Sequence, residues 1–314
     1  MSALVYLPLL VPVLAAAAAR PLAARLEPRL ATWLLAATTV ALAAFSTAAL
    51  ALMTASALAR SPVLAALGDY SQSALRRGDP VPALAGMAAA LLLTAAAVAV
   101  AVVIRARARA LAESYRRAAS MAPGGRVVVV PGHSIEAYAL PGSPGRIVVS
   151  GRLLDVLNDR GRAALLAHEH AHLAGRHHLF TTVAHLAAAA NPLLLPVARA
   201  VDYTVERWAD ERAAAITGDR RLVASTIGQV ALLTAPRPAR PRATLAITGA
   251  RARSVSLAWA GPVPRRVAAL LAPPPRRQLT LLAIVAILIL TAGASAAEAA
   301  RDLHALLEFA QTAR

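Results

Sequence analysis

The sequence has no cysteine, and because all 33 of its basic residues are arginine it has no lysine either. The first absence excludes a disulfide framework, a thiolate nucleophile and a thiolate zinc site, so any metal must be held by histidine and carboxylates. The second reads as coding bias rather than chemistry. Acidic residues number only 16, charged residues make up 16% and aromatics 4% of the 314 residues. A mean hydropathy of +0.57 with 58% hydrophobic residues is too apolar for an ordinary soluble domain, and it rules out disorder and collagen-like repeats. A net charge of +17 on so apolar a chain points to a membrane protein with its charge segregated.

What the sequence does have is long uncharged apolar runs. Four approach or exceed the roughly 18 to 20 residues needed to cross a bilayer: 3–19, 30–59, 81–104 and 279–297. The first lacks a preceding positive charge and is followed by Arg20, Arg25 and Arg29, the reverse of a secretory signal, so it reads as a retained span. Arginine placement sets the orientation. The loop 20–30 and the segment 105–278 hold 28 Arg and 11 acidic residues, the remaining parts 5 of each, so the entire excess of +17 falls on one side. That side is expected to be the cytoplasm, with the N-terminus and the tail 298–314 outside. No nucleic-acid-binding motif is present, and topology accounts for the basic charge.

The expected class is therefore a mainly α, polytopic membrane protein with about four transmembrane helices and a cytoplasmic α+β domain. Three spans fill 1–104, the domain covers 105–235, a Pro/Arg-rich loop follows at 236–278, and the fourth span occupies 279–297. The basic stretch 105–120 reads as a helix continuing out of the bilayer. Short β-branched runs at 127–130, 135–140 and 147–150, separated by Pro-Gly turns, suggest a small meander. Helical periodicity then takes over from Arg152.

His168-Glu169-His170-Ala171-His172 within that helical stretch contains the HExxH pattern. Two histidines at i and i+4 lie on one helical face and can converge on one metal ion, while the glutamate faces a water beside it. A third ligand is required. Asn191-Pro192 opens a later helix that Gly218 closes, and it carries Glu206 and, one turn on, Asp210. His177 and His178 suit the negative end of a helix dipole, and His185 reads as a core histidine. Tyr203, Arg207 and Arg212 are candidates to stabilise an oxyanion, with nothing to choose among them.

These residues resemble a known family. Ala137–Gly142, Arg146–Ser150, Leu165–Leu173, Gly175–His178 and Glu206–Ala213, set between spans, look like the membrane-bound gluzincin (zincin-like) peptidases of the BlaR/MecR antirepressor type, with HtpX-like and CAAX-type proteases more distant. The resemblance implies a zinc endopeptidase in the bacterial inner membrane. His168, His172 and Glu206 would bind Zn2+, Glu169 would act as base and then acid, and Asp210 would orient a ligand histidine. It also implies a peptide substrate lying antiparallel to an exposed edge strand, for which 135–140 is the candidate, and a repressor or signalling partner encoded elsewhere. Val263–Leu271 is similar to the basic-apolar segment that precedes the last span in that family. Only 17 residues follow Ala297, so the extracellular penicillin-binding domain, and with it β-lactam sensing, is not expected. A non-proteolytic sensor or scaffold, and a metal transporter, are the alternatives. Asp155, Asp159, Arg160 and Arg162 just before the HExxH pattern make that helix a poor span, which disfavours the transporter.

Overall fold

The computed structural model describes residues 6–59, 83–121, 125–132, 135–234, 261–273 and 279–312. The start of the first span, residues 81–82, most of the Pro/Arg-rich loop and Arg276-Arg277 lie outside the described residues. The chain divides into two compact units. One comprises Met1–Arg109, Leu179–Asp202 and Arg276–Arg314, the other Ala110–His178 and Tyr203–Pro275.

The first unit contains long apolar helices. Helices α1 (Leu7–Arg25), α2 (Pro28–Ala59) and, from Leu84, α3 (Ala83–Ser120) are long and apolar enough to cross a membrane. Glu27 starts α2, its two carboxylate oxygens accepting from the backbone N–H groups of Arg29 and Leu30, which satisfies donors that have no intrahelical partner. The apolar window of α3 is only 6% buried. Helix α10 (Leu279–Thr312) packs on α1 and α2. Leu179–Asp202, a stretch whose membrane relationship is not legible from composition, joins this unit. The edge of Trp33 on α2 meets Phe180 at 4.7 Å, and Asn191 Nδ2 donates to Ser46 Oγ at 3.0 Å.

The second unit is built on a three-stranded sheet of β1 (Val127–Val130), β2 (Ala137–Leu140) and β3 (Arg146–Ser150). The strand order is β1-β3-β2, with β1 parallel and β2 antiparallel to β3. The expected meander is thus corrected to a mixed sheet. All five residues of β3 are buried, so it takes the centre, β2 hairpins onto one side and β1 is left the other. β2 is consequently an edge strand.

Helix α4 (Gly151–Val156) follows β3, capped by Ser150, and α5 (Asp159–Ala174) is capped by Asn158, whose side chain accepts from Gly161 N–H at 2.8 Å. Leu153, Leu157 and Leu165 close a core over Ile147 and Val149. Helix α6 spans His177–Ala190. The helix expected from Asn191-Pro192 to Gly218 is found as a short 3-10 turn (Pro192–Leu194) running into α7 (Leu195–Thr217), with Gly218 ending it at φ +70°. Helices α8 (Arg220–Thr234) and α9 (Pro262–Leu271) pack together, and α8 also packs on α5. At the start of α8, Arg220 reaches the carbonyls of Leu270 and Ala269 at 3.0 and 2.9 Å and also pairs with Glu211, tying down the end of α9.

Candidate metal centre

Helix α5 runs beneath β2 and presents His168 and His172 one turn apart. Their Nε2 atoms are 3.1 Å apart. From α7, Glu206 Oε1 lies 3.5 Å from His172 Nε2, and its Oε2 lies 3.6 Å from His168 Nε2. These three side chains form a group that could hold a metal ion. The 3.1 Å between the two nitrogens is close to the edge of a tetrahedron around an ion bound at about 2.0 to 2.1 Å, which is about 3.3 Å long, and a carboxylate oxygen of Glu206 lies within 4.8 Å of both.

The donors' other contacts support the same reading. Asp210 Oδ1 stands 3.0 Å from His168 Nδ1, to one side of the N–H direction. His172 Nδ1 is 3.0 Å from His177 Nδ1. With His168 protonated its Nε2–H can be donated to His172 Nε2 across 3.1 Å, and once that proton leaves, two lone pairs face the place where a metal ion could sit. A histidine whose second nitrogen is held in this way is typical of metal ligation.

The sequence suits His177 to the negative end of a helix dipole, and its position in the structure is quite different. It is the first residue of α6, 2% exposed, beside His172 and 4.5 Å from the Trp208 ring on α7. The turn that places it uses Arg176 at φ +48° and Gly175, where a Cβ would come within 2.3 Å of His177 Nε2. The pattern Gly-Arg-His-His hinted at this, but the left-handed turn that aims the ring is not readable from composition.

Arg266 on α9 lies within Val263–Leu271, a segment the sequence marks by its family likeness without giving it a part in the centre. It donates to both oxygens of Asp210, at 2.8 and 2.6 Å, and lies 2.8 Å from Glu206 Oε2. Of the earlier oxyanion candidates, Tyr203 lies under the Arg265 guanidinium at 4.2 Å, and neither it, Arg207 nor Arg212 lines the cleft at the centre. His185 pairs with Asp202 at 2.9 Å in the other unit.

That cleft has a volume of about 400 Å³ and lies against β2 and α8. Ala137, Tyr138, Ile227 and Val230 line it together with His168 and Glu169, and Arg266 contributes a cation. Glu169 accepts a hydrogen bond from the Ala139 N–H of β2.

The electrostatics are asymmetric. Burial alone would lower the His168 imidazole, yet the Asp210 and Glu206 carboxylates raise it to about 9. His172, buried and beside His168, is lowered to about 4, and burial with His172 nearby lowers His177 to about 3. Burial would raise Glu206 and Asp210. For Glu206, His168 and Arg266 hold it down at about 2, and for Asp210, Arg266 and His168 also hold it below its ordinary range. Burial raises Glu169, against the opposing pull of His168. Metal-free, the site therefore holds ionised carboxylates around one protonated and one neutral imidazole.

Residues 103–190, less than a third of the chain, match the family model described as Peptidase family M48. This region includes β1 to β3 and the whole HExxH helix, and it supports a metallopeptidase; peptidases of this family are typically zinc-dependent. No curated protein and no solved structure matches the chain.

Proposed function

We propose that this chain is an integral-membrane zinc endopeptidase that hydrolyses peptide bonds of a protein substrate such as a repressor, a regulator or a membrane protein. The observation that carries the reading is the His168–His172–Glu206 donor triangle with Glu169 beside it at an open strand edge. The ligand set is His168, His172 and Glu206, with Asp210 orienting His168. A fourth span at 279–297, a cytoplasmic catalytic unit and an outside N-terminus are supported by the one-sided arginine excess. The narrower likeness to the BlaR/MecR type rests on the motifs within 137–213.

Bound zinc would supply Lewis acidity toward a water molecule and the scissile carbonyl. Glu169 does the proton work. Its carboxyl is raised by burial, which brings it nearer to neutrality than an exposed glutamate and suits a group that takes a proton from water and returns it to the leaving amine. The Ala139 N–H fixes its orientation.

Substrate is held by strand addition. Glu136 C=O accepts from Ser150 N–H, and in an antiparallel ladder this pairing alternates, so Ala137 and Ala139 direct their backbone groups away from β3. Ala139 N–H is taken by Glu169, and the remaining edge groups can receive an extended peptide with little demand on its sequence. The apolar wall of α8 opposite favours apolar side chains next to the scissile bond.

The test uses the full chain in detergent. Glu169→Gln is expected to keep its zinc and to lose casein cleavage or autocleavage by at least about a hundredfold, while Glu206→Ala loses zinc as well. Equal cleavage by Glu169→Gln and the parent chain would end the proposal.

A further inference from the structure

Arg266 is reached only through the segment that follows α8, yet it touches both carboxylates that α7 brings to the centre. Its Nε and Nη2 grip the two oxygens of Asp210, and its Nη1 takes Oε2 of Glu206. Its side chain is 11% exposed, and Asp210 is 1% exposed.

From this geometry we propose that Arg266 is a positioning residue of the metal centre, holding Asp210 against His168 and restricting Glu206 to one free oxygen. The proposal rests on the metallopeptidase reading above. Two arguments support it. Glu206 and Asp210 are like charges at i and i+4 on one helix, an arrangement that is repulsive without a shared cation. The guanidinium fork faces both at once, which a lysine ammonium cannot reproduce with the same geometry. In addition, Arg266 occupies Oε2 and leaves Oε1, 3.5 Å from His172 Nε2, to serve as ligand. A glutamate that ligates through one oxygen keeps the fourth position open, as a catalytic site requires.

Arg266 is not what docks α9. Arg220 ties down the carbonyls of Ala269 and Leu270, and Leu270 and Val267 pack into the core shared with α5, α7 and α8. Loss of the guanidinium should therefore disturb the centre while leaving the helix in place.

The experiment compares the full chain with Arg266→Met and Arg266→Lys in detergent. It measures zinc affinity by chelator competition and the visible spectrum of the cobalt-substituted protein, with circular dichroism of the metal-free forms as a folding control. Arg266→Met is expected to weaken zinc binding about 10- to 100-fold and to change the cobalt spectrum, with Arg266→Lys intermediate. Parent-like affinity and spectrum in Arg266→Met would overturn the inference. Should that variant fail to fold, parent-like behaviour of Arg266→Lys would overturn it equally. If the parent chain binds no zinc, or His168→Ala binds it as well as the parent, the metallopeptidase reading fails instead, so the two failures are distinguishable.

Discussion

The two flanks of the proposed metal centre are built from opposite materials. On one side His168 leans on Asp210, which is gripped by Arg266, so the support is ionic and assembled from α7 and α9, 56 residues apart in sequence at the Arg266–Asp210 contact. On the other side His172 leans on His177, whose ring lies against Trp208 and Gly175, so the support is neutral and comes from five residues away. The consequence is visible in the two imidazoles, one raised to about 9 and the other lowered to about 4. One flank supplies charge to its imidazole. The other supplies a lone pair and shape.

Substitutions can break this comparison. The largest effect is expected from Asp210→Ala, which strips His168 of its carboxylate and leaves part of a buried guanidinium unpaired. It should destabilise the metal-free chain by about 3 kcal/mol or more, read by denaturant unfolding, and should nearly abolish zinc binding. Next comes Gly175→Ala. The backbone there is helical, at φ −81°, so alanine is not strained in its dihedral angles, but its Cβ collides with His177. Zinc affinity should drop toward the upper end of a roughly 10- to 100-fold range, and parent-like affinity would show that His177 does not hold His172. His177→Phe keeps the ring beside Trp208 and removes the acceptor for His172 Nδ1–H. About a tenfold loss is expected, and a loss as large as that of Asp210→Ala would erase the distinction between the flanks.

The smallest step is in pH. Metal-free His168 holds its extra proton up to about pH 9, and that proton must leave before zinc binds, so affinity should rise with pH. His172, at about 4, is already neutral above pH 5 and adds no dependence there. Competition titrations between pH 6 and 8 should thus give about one logarithmic unit of affinity per pH unit. Two units would mean that both imidazoles are protonated.

The same contrast explains what could be read in advance. The candidate pairs His168 with His172 and Glu206 with Asp210 were legible because each is spaced by four residues on one helical face, a purely local pattern, and Glu169 came with the HExxH pattern itself. The Asn191-Pro192 start and the Gly218 stop were legible for the same reason, as was the short sheet. Strand order was not, since it depends on which strand is buried, and neither the four valines of β1 nor the Ala-Tyr-Ala-Leu of β2 advertises that Arg146–Ser150 takes the centre. His177 was hidden by a single left-handed residue, Arg176, which turns it back toward His172. Arg266 was hidden by distance, since it stands 56 residues beyond Asp210 in a segment marked only by its family likeness. The grouping of Leu179–Asp202 with the long apolar helices turns on Phe180 meeting Trp33 and Asn191 meeting Ser46, pairings no local pattern records.

The central claim is tested most directly by X-ray absorption at the zinc edge on the purified full chain. The account predicts one zinc per chain with two imidazole nitrogens and oxygen donors at about 2.0 to 2.1 Å, and a reduced oxygen contribution in Glu206→Ala. A chain that binds no zinc, or a zinc environment with fewer than two imidazoles, would contradict it.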